Sequence, residues 1–259
     1  MKWSNKGLAY RISGEGEICL LWIHGLCENA DLWSESLRAL PNFRHIVFEL
    51  PGCGHSRPDD WFCDFSVRDI ANEIGITLQK ESISEINGIG HSMGGYVLLE
   101  MIDLFGDDFF KAICMVNSTT EADSELKQKN RERGIRILLE NRDLYMGEFF
   151  KNLYSARYHA QNPHAWKKDL ADSQTIPTEI ILHTMRALKH RRDLTRLFAL
   201  FPHKKMIISG REDTVIAAAD SIKQAEICGA ELLMFDHCGH VVPRENLADF
   251  LKAVGNFVL

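Results

Sequence analysis

Short apolar runs, several of them closed by a glycine, recur along the chain: ICLLWIHG (18–25), HIVFELPG (45–52), INGIGHS (86–92), AICMVNS (112–118), KMIISG (205–210) and AELLMFDHCGH (230–240). Runs this short and this continuously apolar suit strands buried on both faces of a parallel sheet. Between several of them the period changes to that of a helix. In SVRDIANEIGITLQK (66–80) apolar residues fall at 67, 70, 74 and 78, and MGGYVLLEMIDLF (93–105) and NLADFLKAVGNFVL (246–259) also read as helices. Strand–helix alternation predicts an α/β fold, with a mainly parallel central sheet and helices on both faces.

Residues 121–203 break that rhythm. They hold no convincing strand, but three or four helical stretches: 124–141, 144–158, 163–173 and 177–201, with Pro163 and Pro177 where first turns should begin. The expected organisation is a core made of 1–120 and 204–259, with 121–203 as a helical insertion between two core strands. Charge separates the two parts. Residues 121–205 carry 17 Lys and Arg against 11 Asp and Glu, or +6, and the remainder carries 13 against 25, or −12.

Composition narrows the function classes. With 259 residues, 45% hydrophobic and 25% charged, the chain is ordinary globular protein, long enough for one domain with an insertion. The net charge of −6 argues against nucleic acid as the default partner. No apolar stretch approaches 18 residues, so no membrane span is expected. The first residues, MKWSNKGLAYRISGEGE, contain no apolar signal segment. The seven cysteines are odd in number and form no C-x-x-C, so free thiols in a reducing cytoplasm are expected.

The stretch NGIGHSMGGY (87–96) carries the chemistry. Glycine inside a regular element costs roughly 0.5–1 kcal/mol, yet Gly90, Gly94 and Gly95 crowd around Ser92. Gly90-His91-Ser92-Met93-Gly94 fits G-x-S-x-G, in which a serine sits on a sharp strand-to-helix turn and small residues at ±2 let the turn close. A predicted strand precedes it and a predicted helix follows, so the helix N-terminus would face a reacting carbonyl. Ser92 is the candidate nucleophile.

A serine hydroxyl needs a base. Among eleven histidines, His240 stands at the end of the last apolar run in DHCGHVVPRE. His237 is the rival, but Gly239 and the helix-opening Pro243 favour His240. The local H-C-x-H group has no second ligand cluster and does not read as a metal site. The base needs an orienting carboxylate, and ISGREDTVI offers Asp213, with Glu212 as the alternative. The order Ser92, Asp213, His240 is that of the G-x-S-x-G hydrolases. Two backbone N–H groups would form the oxyanion hole: Met93, after the nucleophile, and Leu26, in IHGLCENADLW, where His24 braces the loop. Such chemistry needs no cofactor.

With these residues the chain resembles the α/β-hydrolase superfamily over essentially its whole length. The residues that carry the likeness are His24-Gly25, Pro51-Gly52-Cys53-Gly54-His55-Ser56, Gly90 to Gly95, Gly210 with Asp213, and Gly239-His240 with Pro243 and Glu245. Glu49 stands where the family usually has aspartate, and Leu26-Cys27-Glu28 lacks a further glycine that many members carry. Serine as nucleophile separates the chain from the haloalkane dehalogenases. The resemblance implies the α/β-hydrolase fold with 121–203 as a lid, and a small carboxylesterase acting on a small-molecule ester. Thioesterase, C–C hydrolase and lyase chemistry on the same triad, and a ligand-binding receptor on this fold, are the alternatives. The lid's positive charge is similar to that of the pimeloyl-carrier-protein methyl ester esterases, which implies an acidic carrier protein or an anionic substrate as partner. Arg131, Arg133 and Arg136 are the lid residues that would serve it. Against this stands the plain reading of a solvated basic helix face, with Ile135, Leu138 and Leu139 turned to the core.

Overall fold

The structure is a computed structural model that describes residues 1–259 throughout. Eight strands form one sheet: β1 (Lys2–Trp3), β2 (Ala9–Ser13), β3 (Cys19–Ile23), β4 (Arg44–Phe48), β5 (Ile86–His91), β6 (Phe110–Val116), β7 (Lys204–Gly210) and β8 (Glu231–Phe235). Their order is β1-β2-β4-β3-β5-β6-β7-β8. β1 and β2 pair antiparallel, and all pairs from β4 to β8 are parallel. All six apolar runs contain a strand. β1 and β2 lack such a run, because Lys2–Trp3 is exposed and β2 is buried only at its start. The run at 230–240 is strand only to Phe235, so His240 stands on the following loop and not at a strand end.

Helices cover both faces: α1 (Ser34–Ala39), α2 (Val67–Lys80), α3 (Met93–Phe105), α10 (Ala218–Cys228), α11 (Val242–Glu245) and α12 (Leu247–Val258). The register shows how the faces divide. Leu21, Gly88 and Ile113 are aligned across β3, β5 and β6, and a Cβ on Gly88 would meet Leu98 of α3 at 2.7 Å. One residue on, Trp22, Ile89 and Cys114 point the other way. On that side Trp22 packs on Trp33 at 5.1 Å between ring centroids, and Trp33 on Phe250 of α12 at 6.2 Å.

Between β6 and β7 lie α4 (Glu125–Glu140), α5 (Arg142–Leu153), α6 (Ala156–Gln161), α7 (Ala165–Ser173), α8 (Thr178–Lys189) and α9 (Thr195–Leu200). There are six helices here where three or four were expected, and the breaks have local causes. Tyr154 is extended and Ser155 caps a new helix by accepting from the Tyr158 N–H, which divides 144–158. In 177–201 the chain turns at Arg191, whose guanidinium is drawn into the interior by Asp123 (2.6 Å) and the Leu188 carbonyl (3.0 Å). Helix α5 packs on α4 and α7, and α4 on α8, whereas α9 packs on α3 and α10 of the core.

Bonds that include backbone groups attach these helices to the rest at two edges, and side-chain pairs such as His183–Asp64 (2.8 Å) and Lys168–Asp31 (3.3 Å) add to them. At one edge the two chain crossings are bonded to each other: Leu194 N–H donates to the Thr120 carbonyl (2.9 Å) and Arg191 Nε–H to the Glu121 carbonyl (3.1 Å). At the other, His240 N–H donates to the Leu153 carbonyl (2.7 Å) and Ser155 N–H to Glu245 Oε2 (3.0 Å). Arg244 there pairs with Asp169 and with the Tyr154 hydroxyl. No helix is long and apolar enough to cross a membrane.

Candidate active site

The turn from β5 to α3 explains the glycines. Ser92 has φ 49° and ψ −113°, a conformation that side chains other than glycine rarely adopt. A Cβ on Gly90 would lie 2.5 Å from the Gly94 carbonyl, and one on Gly94 would lie 2.2 Å from the Ile23 carbonyl. Backbone cannot retreat from such contacts, so both positions need glycine. The turn is held by Ser92 N–H to the Val116 carbonyl (2.9 Å) and Ser118 Oγ–H to the Ser92 carbonyl (2.7 Å). Met93 is the first residue of α3, so its N–H is among those left free at the helix start.

His240 and Asp213 meet. His240 Nδ1 lies 2.8 Å from Asp213 Oδ2, and both side chains are almost fully buried. A carboxylate accepts, so Nδ1 carries the hydrogen and Nε2 is left for another partner. Asp213 Oδ1 accepts from Val215 N–H (2.8 Å) and Ile216 N–H (3.0 Å). Burial opposes ionisation of this carboxyl. The adjacent His240 and these donors outweigh burial and hold it below the usual value. The rivals lie elsewhere: His237 and Glu212 are both exposed, 3.4 Å from each other.

Asn117 adds a contact that no sequence motif marks. It stands just past β6 with φ 46°, and its Nδ2 donates to Asp213 Oδ2 (2.9 Å) and to the Gly239 carbonyl (3.1 Å). It therefore ties the acid to the loop of the base.

The loop after β3 is equally determined. His24 Nε2 accepts from Leu50 N–H (3.0 Å), so the hydrogen of this buried ring is on Nδ1, which donates to the Gly25 carbonyl (2.8 Å). Burial, the largest influence, keeps the ring below its ordinary pKa despite that bond. In a trans peptide the C=O and the next N–H point in opposite directions. With the Gly25 carbonyl held toward His24, the Leu26 N–H is turned away from it. Glu49, at the position usually held by aspartate, accepts from His55 N–H (2.7 Å) and braces the neighbouring turn.

Ser92, His240 and Leu26 line one narrow cavity of about 50 Å³, together with Tyr96, Phe149, Leu153, Leu188 and Val215. Arg131 lines it too and is bonded through Nε to the buried Asp123. Arg133 and Arg136 do not enter it and are exposed on α4. Leu139, expected to face the core, is 62% exposed, whereas Leu138 is buried. Two larger clefts, of about 540 and 650 Å³, lie by α2 and α8 and along β8 and α12, and neither reaches Ser92. No group of three or more His, Cys, Asp or Glu side chains is arranged to hold a metal. All seven cysteines are free, and burial pushes the thiols of Cys27 and Cys238 up to about 12, which leaves Cys63 as the exposed one.

Residues 19–246 match the family described as alpha/beta hydrolase fold. A protein of Pseudomonas savastanoi pv. phaseolicola, provisionally named carbamate hydrolase RutD, is 26% identical over 240 residues, covering 88% of this chain and 92% of its own. The pimeloyl-[acyl-carrier protein] methyl ester esterase of Yersinia enterocolitica is 34% identical over 93 residues, 36% of this chain and 33% of the esterase. A thermophilic esterase from Thermogutta terrifontis superposes with a TM-score of 0.88, covering 97% of this chain and 92% of its own. Its identity is 19%, so that likeness is one of fold.

Proposed function

The chain belongs to the α/β-hydrolase family, and from that premise we propose that it is a serine hydrolase cleaving a carboxylic ester through an acyl-enzyme. One observation supports this most: a serine on a strained elbow shares a cavity with a histidine whose Nδ1 is engaged by a buried carboxylate. In this reading Ser92 Oγ attacks the ester carbonyl while His240 Nε2 takes its proton. Leu26 and Met93 N–H groups hold the oxyanion, and the proton passes to the departing alcohol. Water activated by His240 then clears the acyl-enzyme. Asp213 fixes the ring and stabilises the imidazolium. Within residues 121–203, helices α4 to α8 act as the lid, while α9 packs on the core. The same groups would serve a thioester, a carbamate or a C–C bond, and the acyl partner decides among them.

Ser92→Ala should remain folded, lose ester turnover, and lose labelling by a fluorophosphonate probe. Labelling of the variant at the wild-type rate would remove Ser92 from the mechanism.

A second reading concerns substrate charge. Arg131 brings a guanidinium to the cavity, and its partner Asp123 is shared with Arg191, so two cations stand on one carboxylate. That surplus favours an ester bearing a second, anionic group. The stretch similar to the Yersinia esterase and the basic α4 extend the reading to an acidic carrier protein.

A further inference from the structure

Glu28 and His91 have no part in the triad, yet both line the cavity. Glu28 Oε2 accepts from Gly25 N–H at 2.6 Å, and the same oxygen lies 2.7 Å from His91 Nδ1. The other ring nitrogen, Nε2, lies 2.7 Å from the carbonyl oxygen of His240. Both side chains are buried.

These contacts fit a charged pair. A carbonyl oxygen only accepts, so His91 Nε2 carries a hydrogen. Glu28 Oε2 already receives one N–H, and as a carboxylate oxygen it accepts the second from Nδ1. In that form both nitrogens donate and His91 is an imidazolium beside a carboxylate; the neutral pair, with Glu28 donating to Nδ1, would make the same contacts, and the mutual pull of the two groups favours the charged one. Burial alone would favour the neutral ring, but the carboxylate beside it raises the pKa of His91, with the His240 carbonyl adding to this. Burial likewise opposes the Glu28 charge, and His91 outweighs it, with the carboxyl held down at about 2. His24, Asp213, His240 and Arg244 also face the pair, with Cys27, Cys53 and Asp169 near Glu28.

We propose that the Glu28–His91 ion pair is a positioning device that clamps the oxyanion loop, the nucleophile elbow and the base loop together. The three attachments are Gly25, one residue before the Leu26 donor; His91, next to Ser92; and the backbone of His240. Glu28 also compensates charge. The His91 and His240 rings are 5.1 Å apart, and His240 becomes cationic during the reaction. Two uncompensated imidazoliums at that distance would repel, and the carboxylate offsets one of them. This rests on the serine-hydrolase reading above.

The test is the rate of fluorophosphonate labelling, which needs the nucleophile and oxyanion hole but no knowledge of the substrate. Glu28→Gln keeps the shape and removes the charge. Its labelling rate should fall about 10- to 100-fold, the scale on which misplaced reacting groups slow enzymes. On p-nitrophenyl butyrate, kcat should fall by a similar factor with KM within about twofold. Glu28→Asp, which keeps the charge on a shorter arm, should fall between the two. Folded fractions are set by active-site titration and thermal melts. Independently of any variant, ¹⁵N NMR of the wild type at pH 7 should show both His91 nitrogens protonated. A lone-pair nitrogen on His91, or folded Glu28→Gln labelled at the wild-type rate, overturns the proposal. Failure of the wild type to label at Ser92 overturns the hydrolase reading instead.

Discussion

Asp213 and Glu212 are neighbours in sequence with opposite surroundings. Asp213 is buried against His240, Asn117 and two backbone donors, whereas Glu212 reaches only the exposed His237. Asp213→Asn should therefore leave a folded enzyme slowed by about 10⁴, because the amide no longer holds the required tautomer. Glu212→Gln should keep nearly full kcat/KM. If Glu212→Gln is crippling and Asp213→Asn mild, the acid has been misassigned. The candidates Ser92, His240 and Asp213, which the structure brings together, were legible in the sequence because each stands beside a glycine or just past a strand end. Asn117, Glu28 and His91 could not be assigned from it. Their roles arise from contacts that span 63 to 149 positions along the chain, as from Glu28 to His91 and from His91 to the His240 carbonyl. An asparagine at a strand end and a glutamate in a loop have no local pattern to mark them.

At the level of elements, the buried strands and long helices were legible because their apolar period is strong. What escaped was set by side chains acting as stops. Ser155 caps a helix in the middle of an apolar pattern, and Arg191 stands where the helical run is broken, bonded to a carboxylate 68 residues away. Helix α4 is the element on which a functional choice rests. Arg131 faces the cavity, while Arg133 and Arg136 face solvent. If the outer pair steers an acidic carrier, Arg133→Glu with Arg136→Glu should lower kcat/KM for a carrier-bound ester. Added salt should do the same, since exposed charges are screened over about 8–10 Å at 0.1–0.15 M. A neutral short-chain ester should be indifferent to both. Equal responses from the two substrates would reduce the outer arginines to a solvated face and leave the esterase reading in place.

For the molecule as a whole, the manner of attachment of the inserted helices matters most. Both crossings between core and insertion are stitched side by side at Thr120, Glu121, Arg191 and Leu194, and α9 stays with the core. On the proposed lid reading, the remaining helices hang like a door from this jamb, with the Leu153–Ser155 contacts as the catch and the surface pairs His183–Asp64 (2.8 Å) and Lys168–Asp31 (3.3 Å) as further ties to release. A cavity of about 50 Å³ has room for a few waters only, and the proposed lid would swing to admit an ester. Hydrogen exchange would reveal the swing: the His240 and Ser155 amides, at the catch, should exchange together and faster than the Leu194 amide at the jamb. The reverse order would mean that the door is hung from the other side. One bond in the catch is the backbone N–H of His240 itself. On that reading, releasing the catch would slacken the base, and closing it would tighten the base again. The protein would then be armed only when shut, with its reactive serine kept idle whenever bulk water can reach it.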